Sequence, residues 1–126
     1  MNLEPSPVEE FRMRLVKELV DYIALKYLLE RGKLSGYDLS RLINAEYDVL
    51  LSPGTVYGRL YALERKGLAN AHWEERKREL TLTDKGKKVI NTILSDPIGK
   101  KILQLLRKTK TEVTIEETEK VKANIS

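Results

Sequence analysis

The chain has 126 residues and a net charge of +4, about one domain's worth of chain where single cores organise roughly 100–200 residues, so a second, catalytic domain is not expected. Hydrophobic residues make up 41% and charged residues 33%, a mix that fills a modest core and coats the surface, which excludes bulk disorder. Cysteine is absent, removing disulfide scaffolds, thiolate metal sites and thiol nucleophiles together and pointing to a reducing compartment, the cytoplasm.

The longest apolar stretch, Leu19 to Leu29, is interrupted by Asp21 and Lys26 and falls short of the ~20 apolar residues of a membrane span. Met1 to Pro5 has no basic region ahead of an apolar one, so no export signal is expected. The segment Thr109–Ser126 carries three Lys against four Glu, which leaves residues 1–108 with +5. That excess is compatible with a polyanionic partner and is by itself a weak pointer.

From Val8 to Arg31, Phe11, Leu15, Leu19 and Tyr22 recur at helical spacing, with a second line through Val16, Val20, Ile23 and Tyr27. One long helix is predicted, with more apolar surface than one core-facing stripe requires, which suggests a partner helix. Gly32 stops it, and Ser35 caps a short helix through Gly36, Tyr37, Leu39 and Leu42 to Asn44. Ala45 to Leu51 reads as a loop. Ser52-Pro53 then signals a new helix, with Val56, Leu60 and Leu63 on its buried line and Gly67 at its end.

Leu68 to Glu74 and Glu79 to Leu82 read as paired strands around a charged tip, Glu75-Arg76-Lys77-Arg78. Thr83 caps a helix from Asp84 to about Leu94. Asp96-Pro97 starts a last one, with Ile98, Ile102, Leu105 and Leu106 as its apolar stripe to Lys108. Residues 109–126 read as a flexible tail, with a frayed helical continuation around Glu116 to Val121 as the alternative.

Two short helices joined by a loop and followed by a hairpin with a basic tip outline a winged helix-turn-helix: mostly α with a small β-hairpin. A helix fits the major groove, and a hairpin beside it can lay cations along phosphates. Gly54, Thr55, Tyr57, Gly58, Arg59 and Tyr61 fall off the buried line and face outward. The amides of Gly54 and Thr55 and the hydroxyls of Ser52 and Thr55 can donate to a phosphate at the helix start. Ser52-Pro53-Gly54-Thr55 is equally a plain helix cap. Arg59 can read guanine or clamp a phosphate. Arg76, Lys77 and Arg78 are either phosphate contacts or a solvated tip. Trp73 is expected in the core, and His72, the only histidine, on the strand surface with no metal cluster about it.

The run from Ile23 to Ile90 resembles the PadR family of winged-helix transcriptional regulators. The resemblance is carried by Leu28-Leu29-Glu30-Arg31-Gly32-Lys33-Leu34-Ser35-Gly36-Tyr37-Asp38-Leu39, Ser52-Pro53-Gly54-Thr55-Val56-Tyr57, Leu63-Glu64-Arg65-Lys66-Gly67-Leu68, Trp73-Glu74-Glu75 and Leu82-Thr83-Asp84-Lys85-Gly86. Gly58 departs from it, since the family commonly has proline there. The resemblance implies a homodimer on operator DNA, usually a repressor, with Tyr37, Ser52, Pro53, Gly54, Thr55 and Tyr57 at or near the DNA and the basic wing on phosphates. It also implies pairing of the first and last helices across the dimer. Residues 1–108 are therefore expected to form the DNA-binding domain with dimerisation helices at both ends. Phe11, Leu15, Leu19 and Tyr22 are expected to pack against Ile98, Ile102, Leu105 and Leu106 of a partner. Family members respond to phenolic or other hydrophobic compounds, and no residue here maps such an effector site.

An enzyme fares poorly as a rival: the carboxylate pairs Glu9-Glu10, Glu74-Glu75 and Glu116-Glu117 lie in charged contexts, and Gly32-Lys33 lacks the rest of a phosphate loop. No cofactor, catalytic group or metal is expected. A winged helix used only for protein binding is the stronger rival. The sequon Asn124-Ile125-Ser126 is read as a chance match.

Overall fold

The computed structural model describes residues 4–107. The first helix, α1 (Pro7–Glu18), starts at Ser6, whose hydroxyl accepts from the Glu9 amide at 3.1 Å. The expected single helix is two. Leu19 leaves helical geometry (φ −100, ψ 14) and α2 (Val20–Arg31) begins, although the bonds Leu19 N to Leu15 O and Ile23 N to Leu19 O, both 3.0 Å, bridge the break. The carboxylate of Asp21 accepts from the Tyr22 amide at 3.0 Å, a local side-chain bond of the kind that competes with the regular helical pattern, and no side chain caps α2.

Val20, Ile23, Ala24, Leu25, Tyr27 and Leu28 are all buried, so α2 is the central helix of the core. Its wide apolar surface is thus covered within the chain.

Gly32 ends α2 with φ 84, a left-handed conformation that costs glycine little. A three-residue strand not expected from the pattern follows, β1 (Lys33–Ser35), too short to display alternation. Ser35 then caps α3 (Gly36–Glu46), accepting from Asp38 N at 3.0 Å; Ala45 and Glu46 belong to the helix, which shortens the expected loop. The Asn44 side-chain carbonyl accepts from Leu51 N at 3.0 Å and fastens the turn into α4 (Pro53–Arg65).

The strands β2 (Ala69–Glu74) and β3 (Lys77–Leu82) form the hairpin. All three strands make one antiparallel sheet, ordered β1-β3-β2. The tip is narrower than expected: only Glu75 and Arg76 turn, with φ 45 and 71, while Lys77 and Arg78 belong to β3. Two successive positive φ angles match a two-residue turn that follows the strand twist, at a cost for residues carrying a Cβ.

Thr83 caps α5 (Asp84–Ser95), and its hydroxyl also donates to Gly67 O at 2.7 Å. A Cβ at Gly86 would lie 2.0 Å from Leu68 O, so Leu82-Thr83-Asp84-Lys85-Gly86 is a packed corner that seats α5 on the sheet. Asp96 caps α6 (Pro97–Leu106), accepting from Ile98 N and Gly99 N. The residues expected to form a tail, 109–126, lie outside the described ones.

Candidate nucleic-acid interface

The segments α3 and α4 form the helix-turn-helix. Val56, Leu60 and Leu63 of α4 are buried as their spacing requires. At its start the Ser52 hydroxyl accepts from Thr55 N at 3.2 Å and shares a 2.8 Å bond with the Thr55 hydroxyl. The cap reading is therefore correct, and it leaves the surface outside the cap bare. Pro53 and Gly54 are exposed, and a Cβ at Gly54 would meet nothing within 4 Å. Thr55 N and Val56 N also bond to Ser52 O at 3.1 and 3.3 Å.

Besides Thr55, further α4 side chains expected to face outward are engaged, Tyr57 and Arg59 among them. Tyr57 is half-buried against α3, where a Cβ on Gly36 would approach its ring to 2.5 Å. A glycine at 36 is what lets the two helices close on one another. Arg59 reaches back to Glu18 of α1 at 3.2 Å. Tyr37, at the start of α3, is exposed.

The wing cations divide. Arg78 makes a bidentate pair with Glu64 of α4, one arm at 2.8 Å, and its guanidinium lies 5.0 Å from the Tyr61 ring centroid. It braces the hairpin against the helix. Arg76 and Lys77 are exposed and form no ion pair with a described residue. Glu74 pairs with Lys33 at 2.6 Å; that hydrogen bond lowers the Glu74 carboxyl pKa and raises that of Lys33.

Trp73, expected in the core, is 70% exposed. The register explains the discrepancy. Trp73 pairs with Arg78, Ala71 with Leu80 and Ala69 with Leu82, so Trp73 is on the inward face of the hairpin. It lies at the distal end, where the hairpin overhangs the core and nothing remains to bury an indole. His72 is on the other face and exposed, as expected. Gly36, Tyr37, Tyr57, Trp73, Arg76 and Lys77 are among the residues that line a cleft of about 310 Å³ between wing and helix-turn-helix. Sequence reasoning missed this cleft because it depends on the two-residue turn, which fixes that Trp73 faces Arg78.

The residues expected at a dimer interface also divide. Leu106, with Leu103, is buried in its own chain, while Leu15, Leu19 and Tyr22 are half-buried against the same core. Phe11, Ile98, Ile102 and Leu105 stand out at 65%, 71%, 41% and 67% exposed. Among the described residues no group of three or more His, Cys, Asp or Glu is placed to hold a metal ion, and no helix is long and apolar enough to cross a membrane.

No curated protein matches the chain. Among solved structures, it is similar to a transcriptional regulator from Clostridium thermocellum at 26% identity and TM-score 0.58, over 72% of this chain and 92% of that one. F93 from STIV, a winged-helix DNA-binding protein, is 27% identical with TM-score 0.54, over 59% of this chain and 82% of that one. A PadR family transcription regulator from Clostridium difficile R20291 shares the fold at 20% identity and TM-score 0.57, over 70% and 98% of the two chains. The helix-turn-helix, its braced wing and the Thr83–Gly86 corner all lie within residues 25–92, which match the model of the transcriptional regulator PadR-like family, and the chain belongs to that family.

Proposed function

We propose that the chain is a homodimeric repressor that works in the cytoplasm on a near-palindromic operator. The observation that carries this reading is the bare, exposed start of α4 beside two unpaired wing cations. Small residues at Pro53-Gly54 permit close approach to a groove. The Thr55 and Val56 amides are already taken by Ser52, contrary to the expectation for Thr55, which leaves the Gly54 amide and the positive end of the helix dipole to favour a phosphate. In the proposed complex Ser52, Pro53, Gly54 and Thr55 meet the DNA first, flanked by Tyr37 and the exposed edge of Tyr57. Arg59 joins them by leaving Glu18. On the wing, Arg76 and Lys77 neutralise phosphates, and Arg78 holds the hairpin in place rather than touching DNA.

The second copy is supported by α6, where Ile98, Ile102 and Leu105 make an exposed i, i+4, i+7 stripe. Phe11 adds to it from α1, which meets α6 where Arg12 donates to Leu106 O at 3.2 Å. Two-fold symmetry then requires a two-fold site, with recognition helices reaching major grooves about 34 Å apart.

The test is to select bound fragments from the host's genomic DNA, then footprint them and titrate salt. Two related protected half-sites about ten base pairs apart, centre to centre, are expected, with affinity falling steeply as salt rises. A chain that retards no fragment even at low salt would instead be a protein-binding winged helix. A single unpaired half-site would remove the palindrome, and activation of the adjacent gene would remove the repressor role.

A further inference from the structure

We propose that Trp73 is a DNA contact, and that the cleft it walls seats one sugar–phosphate strand of the duplex; this rests on the DNA-binding reading above. A tryptophan 70% exposed on the inward face of a hairpin has no partner among the described residues to account for its position. Tyr37, 66% exposed, stands on the opposite wall of the same cleft, and Arg76 and Lys77 line it.

The site is assembled before any ligand arrives. Arg78, directly across from Trp73, is fixed by Glu64 and Tyr61 of α4, so the wing is held at a set distance from the helix-turn-helix. The occupant follows from the chemistry. The indole N–H is a donor only, the tyrosine hydroxyl can donate, and Arg76 at the turn adds charge, which together suit a phosphodiester flanked by the apolar face of a deoxyribose. Glu74, the acid nearest the indole in sequence, points to the other face of the hairpin with its cross-strand partner Lys77 and is tied to Lys33. Tyr57 and Gly36 also line the cleft, so it borders the exposed start of α4, and a duplex laid along that helix meets it.

Trp73 is the only tryptophan in the chain, so its emission reports on this site alone. Because a strand seat is indifferent to sequence, the probe is a mixed-sequence 30-base-pair duplex at low salt, added to the full chain. The expected result is a change in indole emission, with protection from acrylamide, that tracks the gel shift. Trp73→Ala should weaken binding by about tenfold, the loss of one hydrogen bond to a charged group. Trp73→Phe should fall between, and His72→Ala, on the opposite face, should bind as the parent does. A gel shift with unchanged emission and unchanged Trp73→Ala affinity overturns the contact and leaves the DNA-binding reading standing. Tighter binding of the single strand than of the duplex overturns the strand seat in favour of base stacking. Failure of the parent chain to shift any duplex overturns both.

Discussion

Arg12 is nearly buried, its side chain 11% exposed, and its guanidinium joins three helices. It donates to Tyr47 O at 2.6 Å and Asp48 O at 2.9 Å, where α3 ends, to Leu106 O at 3.2 Å, where α6 ends, and through Nε to Glu9 at 3.0 Å. Helix ends carry partial negative charge, so a cation is favoured there on electrostatic as well as hydrogen-bonding grounds. Arg12→Ala would remove the bonds to these carbonyls and to Glu9, and should cost about 3 kcal/mol, read as a lowered urea midpoint at unchanged slope. Arg12→Lys should restore only part of the loss, because an ammonium cannot reproduce the planar fork. A loss below about 0.5 kcal/mol, the scale of an ordinary surface substitution, would show that water replaces the arginine readily.

The neighbouring tyrosines set the alkaline limit. Burial pushes the Tyr47 phenol up to about 12, and Tyr27 is also raised, first by burial and then by its hydrogen bond to Glu46. Both folded values lie above the unfolded one, near 10, so the neutral phenols contribute fully below pH ~10 and that contribution is lost as pH climbs through the folded values. Stability should begin to fall above pH ~10, with tyrosinate absorbance rising in step with unfolding. The Tyr47 hydroxyl has no hydrogen-bond partner among the described residues. Tyr47→Phe should therefore stabilise the fold by about 1 kcal/mol and move the alkaline transition upward; a destabilised variant would mean that the hydroxyl has a partner in solution.

The helices with side-chain caps were the legible elements. Ser35, Ser52, Thr83 and Asp96 each accept from an amide two or three residues ahead, so the signal is contained in one turn of sequence. The break at Leu19 was not legible, because the apolar period runs through it unchanged. Nor was β1, which exists only because β3 arrives from more than forty residues away to pair Leu34 with Leu80. Trp73 shows a different limit: an aromatic in a strand beside a helix suggested the core, but burial depends on how far the core extends beneath that strand. At the candidate interface, residue types pointed to α4 and the wing, while the diversion of Arg59 to Glu18 and Arg78 to Glu64 required coordinates. Gly58 tests α4 as an element. A Cβ there meets nothing within 4 Å, so Gly58→Ala should stabilise the helix by about 0.5–1 kcal/mol in a thermal melt. If α4 lies close against DNA, the same change weakens operator binding; unchanged affinity would place Gly58 away from the groove.

Assembly of two copies is tested at Ile102 and Leu105. Both are exposed in the single chain, at 41% and 67%, so a change to Glu disturbs the core less than a change at buried Leu106. The double variant Ile102→Glu, Leu105→Glu should keep its circular-dichroism spectrum, run as a monomer in light scattering, and lose at least tenfold in operator affinity, since one reading head then binds alone. An intact dimer would move the interface to another face.

On α1, Phe11 and Arg12 are consecutive, the first exposed on the face proposed for a second copy and the second locked onto the ends of α3 and α6. In the proposed dimer the orientation of one reading head relative to the other would then depend on the Arg12 guanidinium, together with buried Val16 and the Arg59–Glu18 pair that also tie α1 to the rest of the chain. Each base pair added between half-sites turns them by about 35° and shifts them along the axis, given roughly ten base pairs per turn. A lineage could follow such a drift in operator spacing by substitutions around position 12 while the groove-facing residues stay as they are, so the preferred spacing and the preferred bases can diverge independently.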